Sequence, residues 1–461
     1  MRPQLGERGI HPLERHECGL DTTALGQFQM GLGAAHTLTG LSEQTDDDAQ
    51  GLESPGSDAY AAASMDTNQD DPTPRLTVIE GGRPEARLTA EAMAATAERL
   101  RATNALGGQV RQGLLVWTLV LGVGSTAGLL LGRFEMVLFL VLAALFVLTQ
   151  SWDLRDRALT GDPEADRAVA PGLVGTVLRT LVPLIMPLMG VAVYGGIAAF
   201  ARMDRPDAAH VAAMQWSIAA AFLCLLAALP PIQQQLARTF IAGPFPGHTA
   251  RLTATMALVV LLLPVPAALI MPDLVELTRQ SSAPLLEVPA LVGQLLGELV
   301  FAVAAVGLGM GRGWRETFER LGLTGLRPHH PIVAAVGLAA VTGVNAGMEW
   351  IARTQFHELW LRDQEMVRMM AAHLGLGATI VLGLSAGIGE EVMVRGALQP
   401  RTGLFWAALL FAAGHVQYTW FGMLTILAIG LTLGFIRRAS NTTTVIVVHM
   451  LYDIVAALGA K

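Results

Sequence analysis

Beyond about residue 110 the chain consists of long apolar runs separated by short polar connections. Most of the runs approach the ~20 residues that a helix needs to cross a bilayer. They fall near 113–132, 135–151, 173–200, 211–230, 252–271, 288–310, 331–348, 371–398, 403–418, 420–436 and 440–458. The pattern predicts an all-α fold, a polytopic transmembrane helix bundle of about 11 spans. Several runs contain Gly or Pro, as in LVPLIMPLMG and LLLPVPAAL. Neighbouring helices can re-satisfy the backbone groups that such residues free, so these positions are read as kinks, not ends.

Residues 1–85 have no sustained periodicity. They are rich in Gly, Asp, Pro, Ser and Thr and read as a disordered polar tail. His11, His16 and Cys18 lie there in HPLERHEC, with nothing rigid to organise them as a metal site. Residues 86–110 include LTAEAMAATAERLRAT, which reads as an amphipathic surface helix with acid early and Arg late. Residues 111–285 then form an extra transmembrane module of about five spans, and 286–461 a second membrane core. The connection 311–328 carries Trp314, Phe318 and Leu321 on one helical face among arginines, the pattern of an interfacial helix. The stretch from Trp350 to Met370 mixes aromatic residues with charge and is expected at the surface as well.

Composition agrees with the membrane reading. The 461 residues are 52% hydrophobic and 15% charged, with a mean hydropathy of +0.47. A soluble domain carries roughly 25% charged residues. The net charge of -7, with Asp46, Asp47 and Asp48 adjacent in the tail, gives no support for nucleic-acid binding. Cys18 lies in a polar tail and Cys224 in an apolar run, so no disulfide is expected between them. Lysine is confined to Lys461 and the other basic residues are Arg, a composition that suggests a GC-rich bacterial genome. Arginines such as Arg155, Arg238, Arg251, Arg312, Arg320, Arg401, Arg437 and Arg438 favour a cytoplasmic N-terminus in a bacterial cytoplasmic membrane.

Most spans carry no ionisable residue, whereas the last four span regions carry several. An ionisable side chain at the centre of a span costs about 2.5–3.5 kcal/mol on insertion scales, so it needs a partner or a function. SAGIGEEVMVRGALQP holds Glu390, Glu391 and Arg395. Glu391 and Arg395 are spaced i,i+4 and can pair. On a regular helix Glu390 points ~100° away from Glu391 and can face another helix. FAAGHVQY holds Phe411 and His415, and TVIVVHMLYDIVAAL holds His449 and Asp453 on one face. Each group alone has a bland reading: a membrane-edge charge cluster, a packed histidine, a private His–Asp pair.

Depth joins them. If the cytoplasmic turns fall near Arg401 and Arg438, Glu390 and His449 lie roughly 16 Å from them along the helix, and His415 and Asp453 roughly 21–22 Å. Carboxylate and imidazole in one layer can serve as a general base on water. A second imidazole with a polar neighbour can support a developing oxyanion. The same set, Glu390, His415, His449 and Asp453, could instead hold a divalent metal such as zinc with a water ligand. Both a cofactor-free and a metal-dependent hydrolase stay open at this point.

EEVMVR, FAAGH and HMLYD follow one another in order on successive helices. In this they resemble the EExxxR, FxxxH and HxxxN/D motifs of the CAAX prenyl endopeptidase and bacteriocin-processing family, also called the ABI or CPBP family. The resemblance spans about 290–458, with the motifs in 385–455. It implies an α-helical intramembrane endopeptidase acting on a peptide or membrane-protein substrate in the bilayer. Carried over, Glu390 and His415 activate water, His449 and Asp453 support the oxyanion side, and Glu391 and Arg395 orient the base. The last position is often Asn in the eukaryotic prenyl proteases and is Asp453 here. An ionised Asp cannot donate a hydrogen bond to an oxyanion, so Asp453 must be protonated, orient His449 or bind a metal. Two other function classes compete: a non-catalytic scaffold or bacteriocin-immunity protein on the same fold, and a proton-coupled transporter, against which no inverted repeat is visible. Oligomeric state is not readable from the sequence.

Overall fold

The computed structural model describes residues 90–159, 173–203, 207–242, 247–280 and 285–460. The polar tail at 1–85, with His11, His16 and Cys18, lies outside the described residues. Those that are described form helices without a strand, apart from an isolated bridge between Leu308 and Arg312. Nine helical stretches among them are long and apolar enough to cross a membrane, or ten with one bent pair.

α1 runs unbroken from Ala90 to Leu130. The expected surface helix and first span are therefore one continuous helix. α2 (Phe134–Leu159), α3 (Leu173–Met203) and α4 (Ala208–Leu226) follow. Pro183 and Pro187 lie inside α3, which continues through both. Pro187 has no N–H to give to the carbonyl of Pro183, and the Gln233 Nε2 amide donates to that carbonyl at 2.9 Å instead. Gln233 belongs to α5 (Pro230–Phe240). α6 (His248–Leu262) and α7 (Pro264–Gln280) form the bent pair. They meet at 42° just before Pro264, which makes the span expected at 252–271 a broken one.

α8 (Val288–Ala305) joins the two halves of the membrane region. Phe301 packs edge-on to Phe146 at 5.3 Å and lies 6.1 Å from Phe139, both on α2. Gln150 Nε2 donates to the Ala304 and Ala305 carbonyls at 3.0 and 2.7 Å, capping the end of α8 from α2. Residues 108–461 thus pack as one compact unit.

α9 (Trp314–Leu321) forms where an interfacial helix is expected, with one difference in the face it presents. Trp314 and Phe318 are exposed and stacked, but Leu321 is fully buried. It turns inward because α9 ends on Gly322, at φ 69°, directly beneath the chain near Gly396. Arg320 donates to the Gly396 carbonyl at 3.0 Å, and the Thr442 hydroxyl donates to the Leu321 carbonyl at 2.6 Å.

The remaining helices are α10 (His330–Gln355), α11 (His357–Ala371), α12 (Leu376–Ser385), α13 (Gln399–Ala413), α14 (Trp420–Ala439) and α15 (Thr442–Gly459). The spans expected at 371–398 and 403–418 form a single apolar stretch, Leu376–Ala413, of 38 residues. At 1.5 Å per residue it is roughly 57 Å long, nearly twice a bilayer core of about 30 Å. Gly403, at φ 78°, breaks it into two helices. The expected tally of eleven therefore differs from the observed nine or ten at two broken helices.

Candidate active site

Between α12 and α13 the chain winds more widely than an α-helix. Residues Ala386–Glu390 and Val392–Leu398 form π-helical turns, with i→i+5 hydrogen bonds. Such turns concentrate at functional sites. The 3.6-residue winding assumed for Glu390 and Glu391 does not hold here. Gly387 lets α15 come close: a β-carbon there would sit 2.8 Å from the Met450 amide nitrogen. This approach sets His449 beside the Glu motif.

Glu391 is fully buried and takes the central place. Its Oε1 lies 2.7 Å from His449 Nδ1 and 3.1 Å from an Arg395 guanidinium nitrogen. The Arg395 contact is an ion pair without good hydrogen-bond alignment, since that nitrogen and Glu391 Oε2 have no hydrogen-bond partner. Arg395 is itself buried. It lies 4.4 Å above the Phe411 ring and reaches the Gly430 carbonyl at 3.4 Å. On the far side of His449, Nε2 is 3.4 Å from Asp453 Oδ2. Arg395, Glu391, His449 and Asp453 therefore form one continuous row across two elements.

His415 follows the end of α13. Its Nδ1 lies 2.7 Å from the Phe411 carbonyl oxygen. A carbonyl only accepts, so Nδ1 carries the hydrogen and neutral Nε2 is left as the acceptor. The Phe411 ring meets both imidazoles edge-on, His415 at 4.6 Å and His449 at 6.1 Å. Asp363 of α11 fixes the turn after His415: its carboxylate accepts from the Thr419 amide and hydroxyl, both at 2.7 Å.

Glu390 is half-buried. No hydrogen bond or ion pair joins it directly to His415 among the described residues. The carboxylates in contact with an imidazole of this site are Glu391 and Asp453, both with His449. Glu390 lies within electrostatic reach of His449, and Asp453 within reach of both Glu390 and His415.

Three contributors were not singled out in the sequence. Glu298 of α8 is fully buried and its carboxylate rests on Gly389. It is an ionisable residue inside an apolar run, a signal that was present. Tyr418, three residues beyond His415, lies within reach of Glu390 and Asp453. Asp363 sat in a stretch read only as surface. For a metal, the donors do not assemble: among the described residues no three His, Cys, Asp or Glu side chains are placed to hold an ion.

Residues 372–455 match the family model described as type II CAAX prenyl endopeptidase Rce1-like, which bears out the resemblance read from the three motifs. The chain is also similar to the uncharacterized protein YpbD of Bacillus subtilis (strain 168). The two are 27% identical over 164 residues, 34% of this chain and 82% of the relative. No solved structure matches.

Proposed function

We propose that the protein is an intramembrane endopeptidase of the CAAX type, hydrolysing a peptide bond of a peptide or membrane-protein substrate in the bilayer. The observation that carries this reading is the row of buried Arg395, Glu391 and His449 with half-buried Asp453 at its end, and His415 on the turn after α13. A stabilising ion pair needs two groups. This site gathers two imidazoles and several carboxyls in the layer where each is costly.

The chemistry divides among them. Water accepts orientation from His415 Nε2, toward which it donates, and gives its other proton to Glu390. Its oxygen bonds to the scissile carbonyl carbon, and the carbonyl electron pair moves onto oxygen. His449 faces that oxyanion. Its Nδ1–H donates to Glu391, and its Nε2–H, not aligned on Asp453, is free to donate to the oxyanion. The C–N bond then breaks, and the proton held by Glu390 passes to the leaving nitrogen. Arg395 fixes Glu391, and Asp453 keeps His449 charged as negative charge develops. The arginine distribution favours an N-terminus on the cytoplasmic side, and the use of Arg in place of Lys suits a GC-rich bacterial host.

The test is cleavage of a membrane-embedded reporter peptide by purified protein in liposomes. Glu390→Gln and His415→Ala should each abolish turnover while leaving the protein folded. Full activity in both variants overturns the reading.

A further inference from the structure

Glu298 lies in the middle of α8, an otherwise apolar spanning helix, and none of its surface is exposed. A carboxyl group there needs a partner or a function. Its Oε1 accepts from Gln294 Nε2, one turn earlier on the same helix, at 2.8 Å. Its Oε2 has no hydrogen-bond partner. It rests on the backbone of Gly389, in the space a β-carbon would fill. The next residue in the chain is Glu390, whose charge acts on Glu298.

A buried carboxyl group of α8 is thus seated against the residue that precedes Glu390, and the two carboxyls act on one another electrostatically. Like charges so placed cannot both ionise at modest cost, and such pairs share a proton. We infer that Glu298 is a positioning residue for Glu390: seated on Gly389 and neutral, it fixes the turn that carries Glu390 and so the direction in which that carboxylate points. The inference rests on the endopeptidase reading. A proton resting on Glu298 leaves Glu390 ionised to receive the proton of water, while the neutral carboxyl seated on Gly389 holds the backbone beside Glu390 in register. Loss of that proton puts two negative charges face to face and drives Glu390 out of place.

The other groups bearing on the pair are Glu391 and Arg395 on the motif itself, His449 and Asp453 of α15, and Tyr418 of the turn. From α2, Glu135 packs against Gly293, one turn earlier on α8 than Gly297. None of these changes in a Glu298 variant, so a shift in pH profile on substitution belongs to the Glu298–Glu390 pair.

The experiment uses the full chain in liposomes with the reporter peptide, comparing Glu298→Leu and Glu298→Gln with wild type across pH. Glu298→Leu should lower kcat at least tenfold with KM within twofold. Glu298→Gln, whose neutral amide fills the same seat on Gly389, should recover most of that loss. Its alkaline limb should move to higher pH, because the amide has no proton to lose, and its acid limb should stay in place. A purely structural role moves neither limb. If wild type cleaves, Glu390→Gln does not, and Glu298→Gln keeps both the wild-type kcat and the wild-type alkaline limb, the inference is overturned and the endopeptidase reading stands. If Glu390→Gln retains full activity, the reading falls and takes the inference with it. Should Glu298→Leu fail to fold, the isosteric Gln variant alone decides.

Discussion

Glu391 and His449, 58 residues apart in the chain, meet at 2.7 Å between Oε1 and Nδ1. They are the point where the Glu motif and the last helix become one site. Arg395 adds a second contact to the same carboxylate oxygen at 3.1 Å. Removing one member leaves the others charged and buried, which costs about 3–5 kcal/mol. Glu391→Ala should therefore lower the unfolding midpoint in detergent by several degrees and abolish cleavage. A double-mutant cycle with His449→Ala should show a coupling of about 1 kcal/mol or more. Additivity of the two single effects would show that the contact contributes no energy of its own.

His415 separates folding from chemistry, because its two nitrogens do different things. Nδ1 holds the Phe411 carbonyl, which leaves Nε2 as the acceptor. Asn places an amide donor near Nδ1 and nothing at Nε2. His415→Asn should keep a near-wild-type unfolding midpoint and lose 10²-fold or more in kcat, roughly the contribution of a general acid–base group. Circular dichroism melting and single-turnover cleavage measure the two effects separately. An active Asn variant would remove Nε2 from the mechanism.

Asp363 works at a distance, through Thr419. Hydrogen bonds to a charged group contribute roughly 1.5–3 kcal/mol, and exposure of the half-buried carboxylate reduces this. Asp363→Ala should loosen the turn that carries His415, lowering kcat severalfold with little change in global stability. Amide exchange at 414–419 reports the loosening. Burial also pushes the Asp363 carboxyl above the ordinary aspartate range, against the lowering effect of Thr419. The folded state then holds this proton more tightly than the unfolded one. The linked stability is present below the ordinary aspartate value and is lost as pH rises through the raised one. Asp363→Asn should flatten that part of the stability profile.

The parts of this site that declare themselves in the sequence are those whose spacing repeats on a helix. Glu391 with Arg395, Phe411 with His415 and His449 with Asp453 are each i,i+4, and each pair is in contact. What hides is set by other helices or by irregular winding. The π-helical turns change where Glu390 points, and hydropathy carries no information about winding. Glu298 has no charged companion on its own helix, so no motif marks it. The span tally depends on Gly403 and Pro264, where one apolar run becomes two helices or bends. Leu321 follows the apolar face of α9 in sequence, yet tertiary contact with Gly396 turns it inward.

Gly387 tests whether close approach of two backbones, rather than any side chain, sets the geometry of the site. Its missing β-carbon leaves room for the Met450 backbone at 2.8 Å, immediately after His449. A methyl group must push α15 outward, because the atoms it meets are backbone and the base of a side chain, not a flexible tip. Over-packing of this kind costs about 1–3 kcal/mol. The displacement should stretch the 2.7 Å contact between His449 and Glu391, so activity should fall further than stability. Gly387→Ala is expected to lose at least tenfold in kcat, and Gly387→Val to lose all detectable cleavage. Gly383 provides the control. It packs on Ile454 and the Met450 carbonyl, farther along the same helix pair, and Gly383→Ala should cost similar stability with a smaller loss of kcat. Equal losses of kcat at the two glycines would mean that helix packing in general, and not the seating of His449, limits the reaction.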